Sequence, residues 1–157
     1  MATNSSQETL YGAGFSPLRG EPTMGSVPMP LLGGTFGATF TPTTLSTAGV
    51  VTYTAAQLIG GLILRDPNGA GRSDVSPTAA SIVGAMPGAS NGQSFQFDIV
   101  NTADANETIT LTAGTGVTVS GTATIAQNNG KRWIAYITDV TSGSEAVVIR
   151  SLGTYTA

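Results

Sequence analysis

The chain has 157 residues, a formal net charge of −3 and only 10% charged residues. It contains no His and no Cys, which excludes Ser-His-Asp and Cys-His catalysis, imidazole and thiolate metal sites, and disulfides. The cations are few and mostly isolated, so no basic patch for nucleic acid is expected, and the longest apolar run, Leu58 to Leu64, is far too short to span a bilayer.

The N-terminus, Met1 to Glu8, has neither a basic nor an apolar region, and a signal peptide is not expected there. From Pro22 to Leu64 there is no charged residue, yet Leu31, Leu32, Phe36, Phe40 and Leu45 are scattered among Pro and Gly. Pro and Gly at that density break helices and central strands. The apolar content is too high for a solvated tail. Residues 1–48 therefore read as an extended arm that lies on another protein surface, with Tyr11, Phe15, Leu18, Leu31, Leu32, Phe36 and Phe40 as its anchors and Thr41 to Thr47 as a linker.

Residues 49–157 read as a β-rich body. Val50 to Thr54 is expected as a strand, Thr54 to Ile59 as a helical turn stopped by Gly60 and Gly61, and Leu62 to Arg65 as a strand ended by a turn at Asp66 to Gly69. Ser76 to Ala85 predicts a helix with Ser76 as N-cap and Pro77 in its first turn. From Gly92 onward the pattern has period two: Phe95, Phe97 and Ile99 share one face, and Ile109 and Leu111 alternate with threonines. Val117 and Val119 follow, with Gly121 as a candidate bulge. Asn128-Asn129-Gly130 predicts a tight hairpin joining Thr122–Gln127 to Lys131–Val140. Thr141 to Ser144 then turns into Glu145 to Leu152. That turn places Ile137 opposite Val148, with Trp133, Ala135, Ile137 and Val148 on one face and Ile134, Tyr136, Val147 and Ile149 on the other. Both faces are apolar, so one lines the body's core and the other needs a second sheet or another subunit. The expected class is all-β: a small β-sandwich or jelly-roll-like body with one short helix, or a single twisted sheet completed by a neighbour.

Chemistry-bearing patterns are sparse. Asp66, Asn68 and Asp74 surround one loop and Asp104, Asn106 and Glu107 another; oxygen-rich loops bind Ca²⁺, but ordinary Asx turns explain them better. Gly69 to Arg72 lacks the ending of a phosphate loop. Trp133 beside Lys131 and Arg132 fits a ligand platform, and fits a core or interface position better. No two acids are placed together for glycoside hydrolysis. No catalytic residue, cofactor or metal site is expected.

A set of segments across residues 55–153 resembles a known family: Thr54-Ala-Ala-Gln-Leu-Ile-Gly-Gly-Leu-Ile-Leu-Arg-Asp-Pro-Asn-Gly69, Ser76-Pro-Thr-Ala-Ala80, Phe95-Gln-Phe-Asp-Ile-Val-Asn-Thr-Ala-Asp104, Thr112-Ala-Gly-Thr-Gly-Val-Thr118, Ile125-Ala-Gln-Asn-Asn-Gly-Lys-Arg132 and Ser142-Gly-Ser-Glu-Ala146. Together they resemble the capsid decoration (cement) and head-fibre proteins of tailed bacteriophages. The resemblance covers about two thirds of the chain and leaves out the arm. It implies a structural virion protein, made in the host cytoplasm, that sits as a homotrimer on the capsid exterior and binds the major capsid protein, with no nucleic-acid or membrane partner. Trp133, Ile134, Tyr136, Val147 and Ile149 are then candidates for the subunit interface or the core. The alternative is a receptor- or glycan-binding module of a head or tail fibre, which should expose aromatics in turns. A secreted matrix protein fits less well, for want of an export signal.

Overall fold

The structure, a computed structural model, describes residues 40–157 together with the backbone of Phe15–Ser16 and Glu21–Pro22. Those two short strands, β1 (Phe15–Ser16) and β2 (Glu21–Pro22), pair antiparallel within a first unit, Met1–Ala38. The expected anchors Tyr11, Leu18, Leu31, Leu32 and Phe36, and the side chain of Phe15, lie outside the described residues.

The second unit, Thr39–Ala157, is mostly strand, with two short helices. Its elements in chain order are β3 (Thr43–Leu45), α1 (Ala55–Ile59), β4 (Leu62–Arg65), β5 (Arg72–Val75), α2 (Ala79–Gly84), β6 (Ser94–Asn101), β7 (Ile109–Thr112), β8 (Val117–Ser120), β9 (Thr124–Ile125), β10 (Asn129–Asp139) and β11 (Ala146–Thr156). They form a six-stranded sheet, β3-β4-β6-β10-β11-β8, and a three-stranded sheet, β5-β7-β9. Both sheets are mixed: β3, β4 and β6 run parallel, as do β11 with β8 and β5 with β7, while β6, β10 and β11 are antiparallel. Parallel neighbours cannot be joined by tight hairpins, and α1 and α2 lie in two of the crossovers.

One core joins the two sheets. Ile63, Phe97, Ile99, Trp133, Ala135, Ile137, Val147 and Ile149 of the larger sheet meet Ile109, Leu111 and Ile125 of the smaller, with Tyr53, Leu58 and Ile82 closing its ends. Period-two alternation sets which side chains enter: Phe97 and Ile99 are buried while Ser94 and Gln96 are exposed.

Several local expectations hold and others are corrected. Thr54 caps α1 in a capping box with Gln57, and the helix stops at Gly60 as the sequence implies. The cap of α2, however, is Thr78, whose hydroxyl accepts from Ser81 N–H. Ser76 still continues the sheet: its N–H donates to Thr112 O, and its hydroxyl accepts from Gly114 N–H. The expected linker contains β3, and Val50 to Thr54 is extended chain with one bridge, Thr52 to Val75, rather than a strand.

The Asn-Gly hairpin does not form. Asn128 does adopt positive φ, but β9 pairs with β7 in the smaller sheet, while β10 pairs with β6 and β11 in the larger. The turn carries the chain between sheets, and Gly130 is already part of β10. Its lack of a side chain is needed there, because the Tyr155 ring lies where a Cβ would stand. Gly121 is a turn with φ +86° between β8 and β9, not a bulge.

The β10–β11 register is also corrected. Near the turn the expected pairing holds, with Asp139 opposite Ala146. A bulge at Thr138 then shifts it by one, so Ile137 faces Val147, Tyr136 faces Val148 and Ala135 faces Ile149. A one-residue slip reverses every side chain beyond it. Val147 and Ile149 therefore join Trp133, Ala135 and Ile137 in the core, and Val148 joins Ile134 and Tyr136, half-buried, on the outer face.

Candidate interaction surface

Among the described residues, the outer face of the six-stranded sheet is the open side of the body. Side chains alternate along β6 and β10, which directs Gln96, Asp98, Arg132, Ile134 and Tyr136 away from the core. At its centre Arg132 and Asp98 form a two-pronged ion pair: Nε donates to Oδ1 at 3.0 Å and Nη2 to Oδ2 at 3.0 Å. The carboxylate's hydrogen bonds and charge hold Arg132 protonated even more firmly than usual.

Two open depressions flank this pair. One, of about 480 Å³, is lined by Arg132, Leu152, Gly153, Thr154 and Tyr155. The other, of about 250 Å³, is lined by Phe40, Gly61, Gln96, Phe97, Asp98 and Arg132. Among the described residues the exposed large apolar side chains are Phe40 (64% exposed), Val50 (60%), Leu152 (50%) and Tyr155 (38%). Three of these four line the two depressions, so the exposed apolar surface is gathered rather than scattered. Partial burial, then the Asp98 charge, pushes the Tyr155 phenol above its usual range, so it stays a neutral hydrogen-bonding group.

Of the residues singled out in the sequence, Phe40 is at this surface, and Ile134 and Tyr136 belong to the same sheet face. Trp133 is not a platform: it is fully buried, lies nearly parallel to Phe97 at 6.4 Å between ring centroids, and has Lys131 Nζ 5.7 Å from its ring. Val147 and Ile149 are core. Leu152 and Tyr155, also exposed here, are not singled out by the sequence. The signal was present in the uncharged stretch after Arg150, but only the bulge at Leu152 and the end of β8 reveal that this stretch is exposed.

The two oxygen-rich loops do come together, by a bond from Gly69 N–H to Glu107 Oε1 at 2.7 Å. That contact also fills the supposed phosphate loop with a carboxylate. Asp66 accepts from Asn68 N–H in an Asx turn, as expected of turn chemistry. Asp74 is deep in the body, bonded to Arg65 Nε at 2.8 Å, Tyr53 O–H at 2.9 Å and Val51 N–H at 3.0 Å. Among the described residues no group of three or more acidic side chains is placed to hold a metal ion. What the surface offers chemically is binding: apolar and aromatic contacts around a fixed ion pair. Comparison with protein-family models, with curated proteins and with solved structures finds no match to this chain.

Proposed function

We propose that this chain is a structural virion protein that decorates and stabilises the outside of a phage capsid, holding the major capsid protein through its N-terminal arm and associating as a homotrimer. The observation that carries the reading is the entry of an uncharged, apolar segment into the body at Phe40, a phenylalanine left 64% exposed at the rim of an open sheet face. A chain with that composition is stabilised by lying against protein. The order three comes from the family resemblance alone. The two sheets around one core support a small sandwich as the finer architecture, with parallel pairs that an all-antiparallel jelly roll lacks.

Each arm anchor contributes roughly 1.5–3 kcal/mol if fully buried, against about 1–2 kcal/mol per residue of ordered chain. One arm therefore binds moderately, and three on one trimer gain by effective concentration. The test is removal of residues 1–38, chosen because β3 belongs to the sheet. The truncated body should keep its β-type circular dichroism and cooperative melt but lose most particle occupancy. Wild-type occupancy by the truncated protein would place docking on the body and sink the arm reading.

A second reading, a glycan-binding fibre module, is favoured by the exposure of Phe40 and Tyr155 beside the Arg132–Asp98 pair. It predicts saccharide binding on a glycan array that Tyr155→Ala removes. An array with no saturable binder dismisses it.

A further inference from the structure

Among the described residues, the β8–β11 edge of the larger sheet is only half covered. β8 pairs with β11 from Val147 to Arg150 and no further, because Gly121, packed against Ser151, turns the chain away into β9. From Ser151 to Thr156, β11 is bonded to β10 on one side only.

The direction of its backbone groups follows from the neighbouring ladders. Asp98 N–H donates to Gly61 O, so alternate residues Phe97 and Ile99 turn their backbone groups toward β10, onto Trp133 and Lys131. Gly130 and Arg132 then serve β11, where they face Tyr155 and Gly153. The bond from Ala157 N–H to Asn128 O at 2.9 Å fits the same alternation. The N–H and C=O groups of Thr154 and Thr156 therefore point outward, along an edge with no paired strand among the described residues. Exposed edges are ordinarily protected by Lys, Pro or a covering element. Among the described residues this one has none: residues 151–157 are uncharged, contain no Pro, and lie exposed apart from Ser151.

We propose that this edge is a strand-pairing site for a second copy of the same chain, β11 against β11, antiparallel across a two-fold axis centred on Tyr155. An antiparallel edge is complementary to itself. In this register Thr154 of each copy exchanges both backbone bonds with Thr156 of the other, the bulge at Leu152 stays outside the paired region, and no like charges are brought opposite one another. Tyr155 meets Tyr155 as a non-hydrogen-bonded pair, the closer of the two pair types, with each ring lying over Gly130 of its own chain. The contact is two-fold and separate from the order-three association proposed above, and it is read on free protein without particles.

The absence of Cys makes the test direct. Residues opposite one another in a non-hydrogen-bonded pair have Cα atoms about 4.5 Å apart, within disulfide reach. Under mild oxidation Tyr155→Cys should form a disulfide-linked dimer at least about ten-fold faster than Val50→Cys, a control at a more exposed position. Adding Thr154→Pro, which removes an outward N–H and no bond to β10, should suppress that crosslink while leaving the thermal melt cooperative. Equal rates for Tyr155→Cys and Val50→Cys would overturn the proposal. So would a fast crosslink indifferent to Thr154→Pro, since the contact would then not run through the edge.

Discussion

Asp74 accepts hydrogen bonds from Val51, Tyr53 and Arg65, all from earlier segments of the chain, and Arg65, its ion-pair partner, also donates to the carbonyls of Thr47, Gly49 and Asp66. Both side chains are fully buried. A buried pair adds little over a packed apolar pair, but losing one member strands the other charge. Asp74→Ala should lower unfolding stability by about 3–5 kcal/mol in urea titration; a loss under about 1 kcal/mol would mean that water replaces the carboxylate. Burial, then the Asp74 charge, raises the Tyr53 phenol, so it remains a donor at all working pH. Lys131 is a buried cation whose Nζ donates to Thr122 O at 2.7 Å. Burial lowers its pKa below the ordinary 10.5, so between the folded and unfolded values the unfolded chain binds more protons. Its contribution to stability is least favourable below the folded pKa and improves as pH rises toward 10.5. The stability of the wild type relative to Lys131→Met, measured from neutral to alkaline pH, should show this rise, because the opposing loss from Tyr53 is common to both proteins. An unchanged slope in the variant would show that Lys131 is not its source.

At the level of elements, the β10–β11 hairpin is where one residue alters what every later side chain touches. Its turn is well specified: Gly143 takes positive φ, Ser144 N–H donates to Thr141 O, and Asp139, its carboxyl held below the usual range by Thr141, fixes the entry. Extrapolating from that turn fails at Thr138, where the bulge inserts one residue. The corrected register makes a sharp prediction. Ile149→Ala should cost about 2–5 kcal/mol, as for a buried aliphatic, and Val148→Thr no more than about 1 kcal/mol. The reverse order in chemical denaturation would restore the unbulged register.

For the whole molecule, the low charge and the gathered apolar side chains on one sheet face describe a surface suited to being covered. A homotrimer predicts three times the monomer mass by light scattering on dilute protein. Two-fold edge pairing would instead give an even copy number, or a trimer that doubles as concentration rises. A monomer at micromolar concentration would refute the order three and leave the edge to be read by its crosslink.

The sequence by itself determined the class of the body, its alternating core strands, the first helix and its stop at Gly60, and the absence of His and Cys chemistry. These are local properties, set by period, capping and composition within a few residues. It also marked the uncharged stretch that begins at Pro22 and contains Phe40. Only the tertiary structure decided which strands are neighbours. Asn128-Asn129-Gly130 has the local chemistry of a hairpin, yet β9 and β10 belong to different sheets, because Ile125 packs with Ile109 in the smaller one while Lys131 and Trp133 pair with β6. The bulge at Thr138, the half-covered edge of β11 and the meeting of Phe40, Arg132 and Tyr155 across the outer face all depend on pairings between distant segments. Such pairings are selected by burial of a shared core, and no local window of residues contains that information.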